Sequence, residues 1–192
     1  MILENISFQS PLENILYDEV LLDLAEQGRG GEVLRFWESP EIFVVLGRTS
    51  NPAEDIYIEE ALCDQIPVLR RASGGGTVLQ GKGCLNYALI LSKEKNPQVM
   101  KIRESYQFIL GKIVQSLKNL GIAAEFKPIS DLAVGEKKFS GNAQKRGKKF
   151  ILHHGTILYG FDLSLIEKYL TIPKNIPEYR RGRAHRDLIV NL

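Results

Sequence analysis

The sequence predicts an α+β fold, and three observations carry that expectation. Residues 12–27 and 98–119 each repeat apolar side chains at three- and four-residue spacing, the period of a helix packed on one side. The strand-like runs come in blocks with short connections, which suit antiparallel pairing and not a one-for-one alternation with helices. At 192 residues, with 44% hydrophobic and 25% charged side chains, the chain can bury a sizeable core.

The elements follow in order. Leu12, Ile15, Leu16, Val20, Leu21 and Leu24 form the stripe of the first helix, which Gly28 and Gly30 end. Residues 32–37 and 42–46 read as two strands, and the turn Glu38-Ser39-Pro40 between them predicts a hairpin. Residues 60–64 read as helix, and residues 68–70 and 84–91 as strands. The second long helix carries Ile102, Tyr106, Ile109, Leu110, Ile113 and Leu117, with Gly121 as its stop. Strands are then expected at 123–126, 131–134, 137–139 and 149–159, the last being one strand or two. Gly135-Glu136 turns between the middle pair, and a short helix covers 163–170. Residues 1–192 read as one domain, with 172–192 a basic tail holding Pro173, Pro177, Arg180, Arg181, Arg183 and Arg186.

Composition excludes several classes. A formal charge of +2 argues against a dedicated nucleic-acid binder, although a local basic patch remains open. Two cysteines make no disulfide framework, and a reduced, cytoplasmic setting is expected. There is no four-ligand Cys/His zinc pattern, and no metal-ligating residue is assigned. No apolar run approaches the roughly 20 residues of a membrane helix. The first residues lack the pattern of a signal peptide.

Three segments carry chemistry. In Arg70-Arg71-Ala72-Ser73-Gly74-Gly75-Gly76-Thr77-Val78, three glycines expose bare backbone N–H groups suited to phosphate or carboxylate oxygens, beside two arginines. A solvated surface loop is the alternative, since the pattern is neither a phosphate loop nor a dinucleotide fingerprint. Asn86, after a second loop Gly81-Lys82-Gly83, adds a polar group. In the second segment, residues 136–144, a strand would send Lys137 and Lys138 to opposite faces, one into a site and one into water. Ser140, Gly141, Asn142 and Ala143 are small enough for a ligand to approach the backbone. A lysine ammonium suits the neutralisation of a phosphate and a carboxylate together; a solvated basic turn is the alternative. In the third, His153-His154-Gly155-Thr156, adjacent histidines on a strand face opposite ways, and a histidine in such a place is more often a packed or hydrogen-bonding residue than a catalyst. Asp131 is a carboxylate for a lysine or a metal-bound nucleotide, or else a cap. Cys84 reads as a buried, inert strand residue.

In this order and spacing the segments resemble the biotin/lipoate protein ligase superfamily, closest to its lipoate–protein ligase A branch. The resemblance rests on residues 70–78, Gly83-Cys84-Leu85-Asn86-Tyr87, Ser130-Asp131-Leu132, residues 138–144 and 153–158, with weaker echoes at 14–22 and 44–48. It implies a mixed, largely antiparallel central sheet flanked by helices. It also implies ligase chemistry: ATP and Mg2+ convert lipoic acid, or octanoate, to acyl-AMP, and the acyl group passes to a lysine of an apo lipoyl carrier domain or an H-protein-like acceptor. By this resemblance Lys138 is the catalytic residue, contacting acyl carbonyl and phosphate. Arg71, Ser73, Gly74, Gly75, Gly76, Thr77, Val78, Asn86, Asp131, Ser140, Gly141 and His154 bind substrate and nucleotide. Neither nucleic acid nor membrane is expected as a partner. Ile90, Ile157 and Leu158 are candidates to flank an acyl tunnel.

The resemblance also has departures. Many such ligases carry a C-terminal accessory domain, for which these 192 residues lack room. Activation would then need a separate accessory subunit, or the chain transfers a preformed acyl-adenylate, or the sequence is part of a longer one. The nearest rival is an octanoyl transferase of the same superfamily working through a cysteine thioester. Its cysteine is expected in the loop before Asp131, which reads Phe126-Lys127-Pro128-Ile129-Ser130. A non-catalytic acyl-binding subunit is the third reading.

Overall fold

The computed structural model describes residues 1–172, 179 and 182–192. Pro173, Pro177, Arg180 and Arg181 of the expected tail lie outside the described residues. In chain order the strands are β1 (Ile2–Asn5), β2 (Val33–Trp37), β3 (Phe43–Leu46), β4 (Val68–Arg70), β5 (Val78–Gln80), β6 (Cys84–Ser92), β7 (Ala124–Lys127), β8 (Asp131–Val134), β9 (Lys137–Arg146) and β10 (Phe150–Leu158). The helices are α1 (Pro11–Glu26), α2 (Pro52–Asp55), α3 (Ile58–Cys63), α4 (Ile102–Asn119), α5 (Ser164–Tyr169) and α6 (His185–Leu188).

Seven strands form one sheet in the order β1-β2-β6-β10-β9-β8-β7, with β1–β2 its parallel pair and the other pairs antiparallel. The central strands β6 and β10 pair from Phe150↔Ser92 to Leu158↔Cys84, and side-chain alternation gives each an apolar row on both faces. On one face Ala88, Ile90 and Leu152 meet Leu22 and Ala25 of α1. On the other, Leu91 and Ile151 meet Ile109, while Leu132 and Phe139 meet Tyr106 and Leu110 of α4. The predicted mixed sheet flanked by helices is therefore the observed architecture.

A second sheet, β4-β3-β5, lies against this one. The hairpin expected from β2 and β3 does not form: β2 pairs with β1 and β6, whereas β3 pairs with β4 in parallel and with β5. The reason is burial. All four residues of β3 are apolar and buried, so the strand needs cover on both faces. Phe43 and Val45 pack on Ile15 and Trp37, while Val44 and Leu46 pack toward Leu79, Ile166 and Leu170. The Ser39 hydroxyl closes the intervening turn, donating to the Glu41 carbonyl and accepting from the Glu41 N–H.

The first helix begins where predicted, with Ser10 as its cap and Pro11 in its first turn, but presents a different face. Leu12, Leu16 and Val20 stay about half exposed, whereas Asn14, Ile15, Asp18, Leu22 and Ala25 are buried. The polar members turn inward because Arg35 of β2, with no exposed surface, donates to Asp18 Oδ1 at 2.6 Å, to Asn14 Oδ1 at 2.8 Å and to the Asn14 carbonyl at 2.9 Å. β10 is one continuous strand. β9 runs well past the expected 137–139, so residues 140–144 lie on a strand with fixed facing.

Candidate active site

The gap between the two sheets is a cavity of about 1180 Å³. Of the sequence-predicted site residues, Lys138, Arg71, Ser73, Gly75, Gly76, Thr77, Val78, Asn86, Asp131, Ser140, Gly141 and His154 all line it, and Gly74 stands off the lining. The three segments, far apart in sequence, thus line one cavity.

The glycine loop joins β4 to β5, and its shape is held from beneath. Arg71 is 8% exposed. Its Nη2 donates to the carbonyls of Gly74 and Gly76, both at 2.7 Å, its Nε to Ser73 Oγ at 3.0 Å, and its Nη1 to the Val45 carbonyl at 3.3 Å. Burial lowers this guanidinium to about 10, so it stays charged at neutral pH. Arg70 likewise braces the neighbouring turn, donating to the Gly47, Arg48 and Ser50 carbonyls. Two adjacent arginines therefore build the loop from within. Gly75 has φ +86°, and a Cβ on Gly47 would overlap its carbonyl, so both positions require glycine. At the loop's end Thr77 Oγ1 donates to Asp55 Oδ2 at 2.6 Å.

Opposite the loop, Lys138 Nζ lies 2.8 Å from Asp131 Oδ1. Tyr179 donates its hydroxyl to Asp131 Oδ2 at 2.5 Å. Alternation on β9 turns Lys138 into the cavity and leaves Lys137 exposed, as the strand reading required. Asp131 and Gly141 are register partners across β8 and β9. A Cβ on Gly141 would come 3.1 Å from Lys138 Nζ, so the missing side chain makes room for the ammonium.

The histidines divide as alternation demands. His154 faces the cavity, with Nε2 in a 2.6 Å hydrogen bond with Ser73 Oγ. Burial and the Arg71 charge lower it to about 3, so it is a neutral imidazole. His153 is fully buried on the other face, hydrogen-bonded to Gln144 at 3.0 Å and Tyr87 at 3.3 Å, and burial lowers it to about 3 as well. Asn142 joins the two faces: it accepts from the Tyr87 hydroxyl and donates to the Ser130 carbonyl at 2.7 Å and to Ser140 Oγ at 3.2 Å. A side chain on Gly155 would overlap Asn142, which explains the glycine after the histidine pair. Asn86 donates to the Cys84 carbonyl at 3.2 Å.

Away from Lys138 the lining turns apolar, with Ile15, Trp37, Val45 and Leu152. Of the expected tunnel residues Leu158 lines the cavity, while Ile90 and Ile157 pack in the core against α1 and α4. Ile15 was legible only as part of a helix stripe. Asp18, Trp37, Asp55 and Gln80 also line the cavity, and no local pattern marks them because each comes singly from a separate element. Both cysteines are off the lining: Cys63 is exposed, and burial pushes the Cys84 thiol up to about 12. Among the described residues no His, Cys, Asp or Glu group of three gathers as a metal site, and no helix is long and apolar enough to cross a membrane.

Comparison with known proteins gives the chain its relatives. A relative from Mycoplasma pneumoniae, named probable lipoate-protein ligase A, is 32% identical over 164 residues, 85% of this chain and 47% of its own length. An octanoyltransferase of Brevibacillus brevis is 27% identical over 206 residues, 95% of this chain and 74% of its own. The solved structure of a bi-partite lipoate protein ligase from Thermoplasma acidophilum, studied with its E2 lipoyl domain, matches with TM-score 0.84 at 25% identity. It covers 100% of this chain and 74% of that one. A lipoate-protein ligase A bound with ATP matches with TM-score 0.83 at 24% identity, covering 99% and 75%. The chain spans about half the length of the lipoate-protein ligase A relatives it matches first. The family model for the lipoyl protein ligase A/B catalytic domain matches residues 10–192, and the chain belongs to that family.

Proposed function

We propose that this chain is the catalytic domain of an ATP-dependent lipoate–protein ligase. It activates lipoate or octanoate as acyl-AMP and transfers the acyl group to a lysine of an apo lipoyl domain or H-protein-like acceptor. The observation that carries this reading is one continuous cavity with an apolar end at Trp37 and a cationic end at Lys138. Attack of a carboxylate on ATP brings two anions together, and a lysine ammonium placed beside them lowers that barrier. The glycine loop offers backbone N–H groups across the same cavity, and Arg71 keeps it in shape. The ATP-bound relative supports ATP as the nucleotide, and the E2 lipoyl domain studied with the bi-partite ligase supports the acceptor. Mg2+ enters as the counter-ion of the nucleotide phosphates. Asp131 has both oxygens already bonded, to Lys138 and Tyr179, so phosphate and water would hold that ion. A separate accessory subunit belongs to the same proposal, and the bi-partite make-up of that relative favours it. A cytoplasmic setting, suited to the two unpaired cysteines, belongs to the same proposal.

The test is incubation with lipoate, Mg-ATP and an apo lipoyl domain, following AMP release and domain mass. An adduct from synthetic lipoyl-AMP but not from lipoate plus ATP would assign transfer without activation. No adduct in either case would sink the ligase reading. The octanoyltransferase relative favours a second reading, carrier-to-carrier transfer. That chemistry needs an activated thiol, and residues 128–130, which line the cavity before Asp131, contain no cysteine.

A further inference from the structure

The glycine loop belongs to the small sheet, yet it is also tied to the large one. Arg71 still donates its N–H to the Leu46 carbonyl of β3 at 3.0 Å. The next residue, Ala72, donates its N–H across the gap to Glu19 Oε1 at 3.0 Å, and Ser73 Oγ meets His154 of β10. Glu19 stands on α1, which packs on the large sheet. It lines the cavity, and its second oxygen lies 3.5 Å from Lys145 Nζ of β9. One carboxylate thus joins α1 to the loop 53 residues on and to β9 126 residues on.

A charged acceptor holds a backbone N–H more firmly than a neutral one. The Lys145 ammonium attracts one oxygen, which leaves the other to Ala72. Ala72 and Ser73 lead directly into Gly75 to Val78, so their anchorage sets where the loop stands over the cavity. A displacement of about 1 Å in positioning groups can cost on the order of 100-fold in rate. A loosened loop also admits water to a bound acyl-adenylate. Water attacking the acyl carbonyl breaks its bond to the phosphate oxygen, leaving free acid and AMP. We propose that Glu19 is a positioning residue that latches the glycine loop over the cavity through the Ala72 N–H, holding a bound acyl-adenylate away from water until the acceptor amine takes the acyl group. The inference rests on the ligase reading of the cavity and adds a residue that acts through the loop.

The experiment gives synthetic lipoyl-AMP and an apo lipoyl domain to the wild type, Glu19→Ala and Glu19→Gln, with enzyme in excess over adenylate. It reads lipoyl-domain adduct formed per AMP released, so the activation step does not enter. Glu19→Ala is expected to lower that ratio about tenfold. Glu19→Gln, whose amide oxygen still accepts from Ala72, is expected to stay within about twofold of the wild type. An unchanged ratio in Glu19→Ala overturns the assignment, as does a glutamine variant that loses as much as the alanine one. Hydrogen exchange at the Ala72 amide of the free protein reads the latch without turnover. It is expected to be about tenfold faster in Glu19→Ala, and an unchanged rate also overturns the assignment. If the wild type forms no adduct, the ligase reading falls and the exchange rate alone decides the latch. Glu19→Met, which keeps the chain length without an acceptor, carries the same expectation should the alanine variant lose its native circular dichroism.

Discussion

Lys138 gains its importance from its neighbours. On an exposed turn it would be a solvated ammonium; on β9 it is turned inward, paired with Asp131 and given space by Gly141. Lys138→Ala is expected to lower adenylate formation by at least about 100-fold, measured as pyrophosphate release. Cys84→Ala should leave it within about twofold, and a loss there with folding intact would restore the thioester reading. His153 makes a different prediction. Its folded pKa of about 3 lies below the ordinary 6.5, so the unfolded chain takes up a proton that the folded chain refuses. Stability from this group is present in full above pH 6.5 and is lost as pH falls toward 3. The slope is about 1.4 kcal/mol per pH unit. Urea midpoints at pH 7, 6 and 5 should fall less steeply in His153→Gln, and an unchanged slope would refute the assignment. The strand alternation that sends His153 inward and His154 to the cavity was legible in the sequence; the choice of His154 came from the family resemblance and not from alternation.

Helix α1 shows how an element can be found correctly and faced wrongly. Apolar spacing located it, because leucines at three- and four-residue intervals are helical whichever side they cover. The face was set from outside the helix by Arg35, which is wrapped by Tyr17 and Trp37 and matched by Asp18 and Asn14. Burying Arg35 requires a carboxylate, so Asp18 turns inward and Leu16 and Val20 turn out. Burial pushes Asp18 up to about 6 against the pull of the arginine. Asp18→Ala leaves the guanidinium buried without its counter-charge, and the expected loss is about 3–5 kcal/mol in chemical denaturation. A loss under about 1 kcal/mol would show that water reaches Arg35 instead. The strands teach the same lesson: β3 was visible as an apolar run, but its departure from β2 depended on cover from two sides.

The molecule as a whole is two sheets with a cavity between them. The large sheet supplies Lys138, Asp131 and His154, and the small sheet with its loop supplies the glycines, Thr77 and Gln80. A ligand that fills this gap touches both sheets and stabilises the folded state by mass action. At a concentration 100 times its dissociation constant, the gain is about 2.7 kcal/mol. For a chain of this size that is a rise of roughly 5–10 °C in melting temperature. Thermal scans with and without lipoate check this, and no shift at millimolar lipoate would count against the cavity as an acyl site.

Periodicity and glycine placement made the two long helices, most strands and the three chemical segments legible, since each is a local pattern written within about ten to twenty residues. The order of those segments was enough to point to the family. What no local pattern encodes is which wall each residue joins. Arg71 became a brace instead of a free cation because the carbonyls of Gly74 and Gly76 surround it. Gln80 meets the cavity because β5 packs into an apolar gap built by α1, β2 and β3. Burial, counter-charge and hydrogen-bond partners are properties of neighbours distant in sequence, and they exist once the two sheets have met.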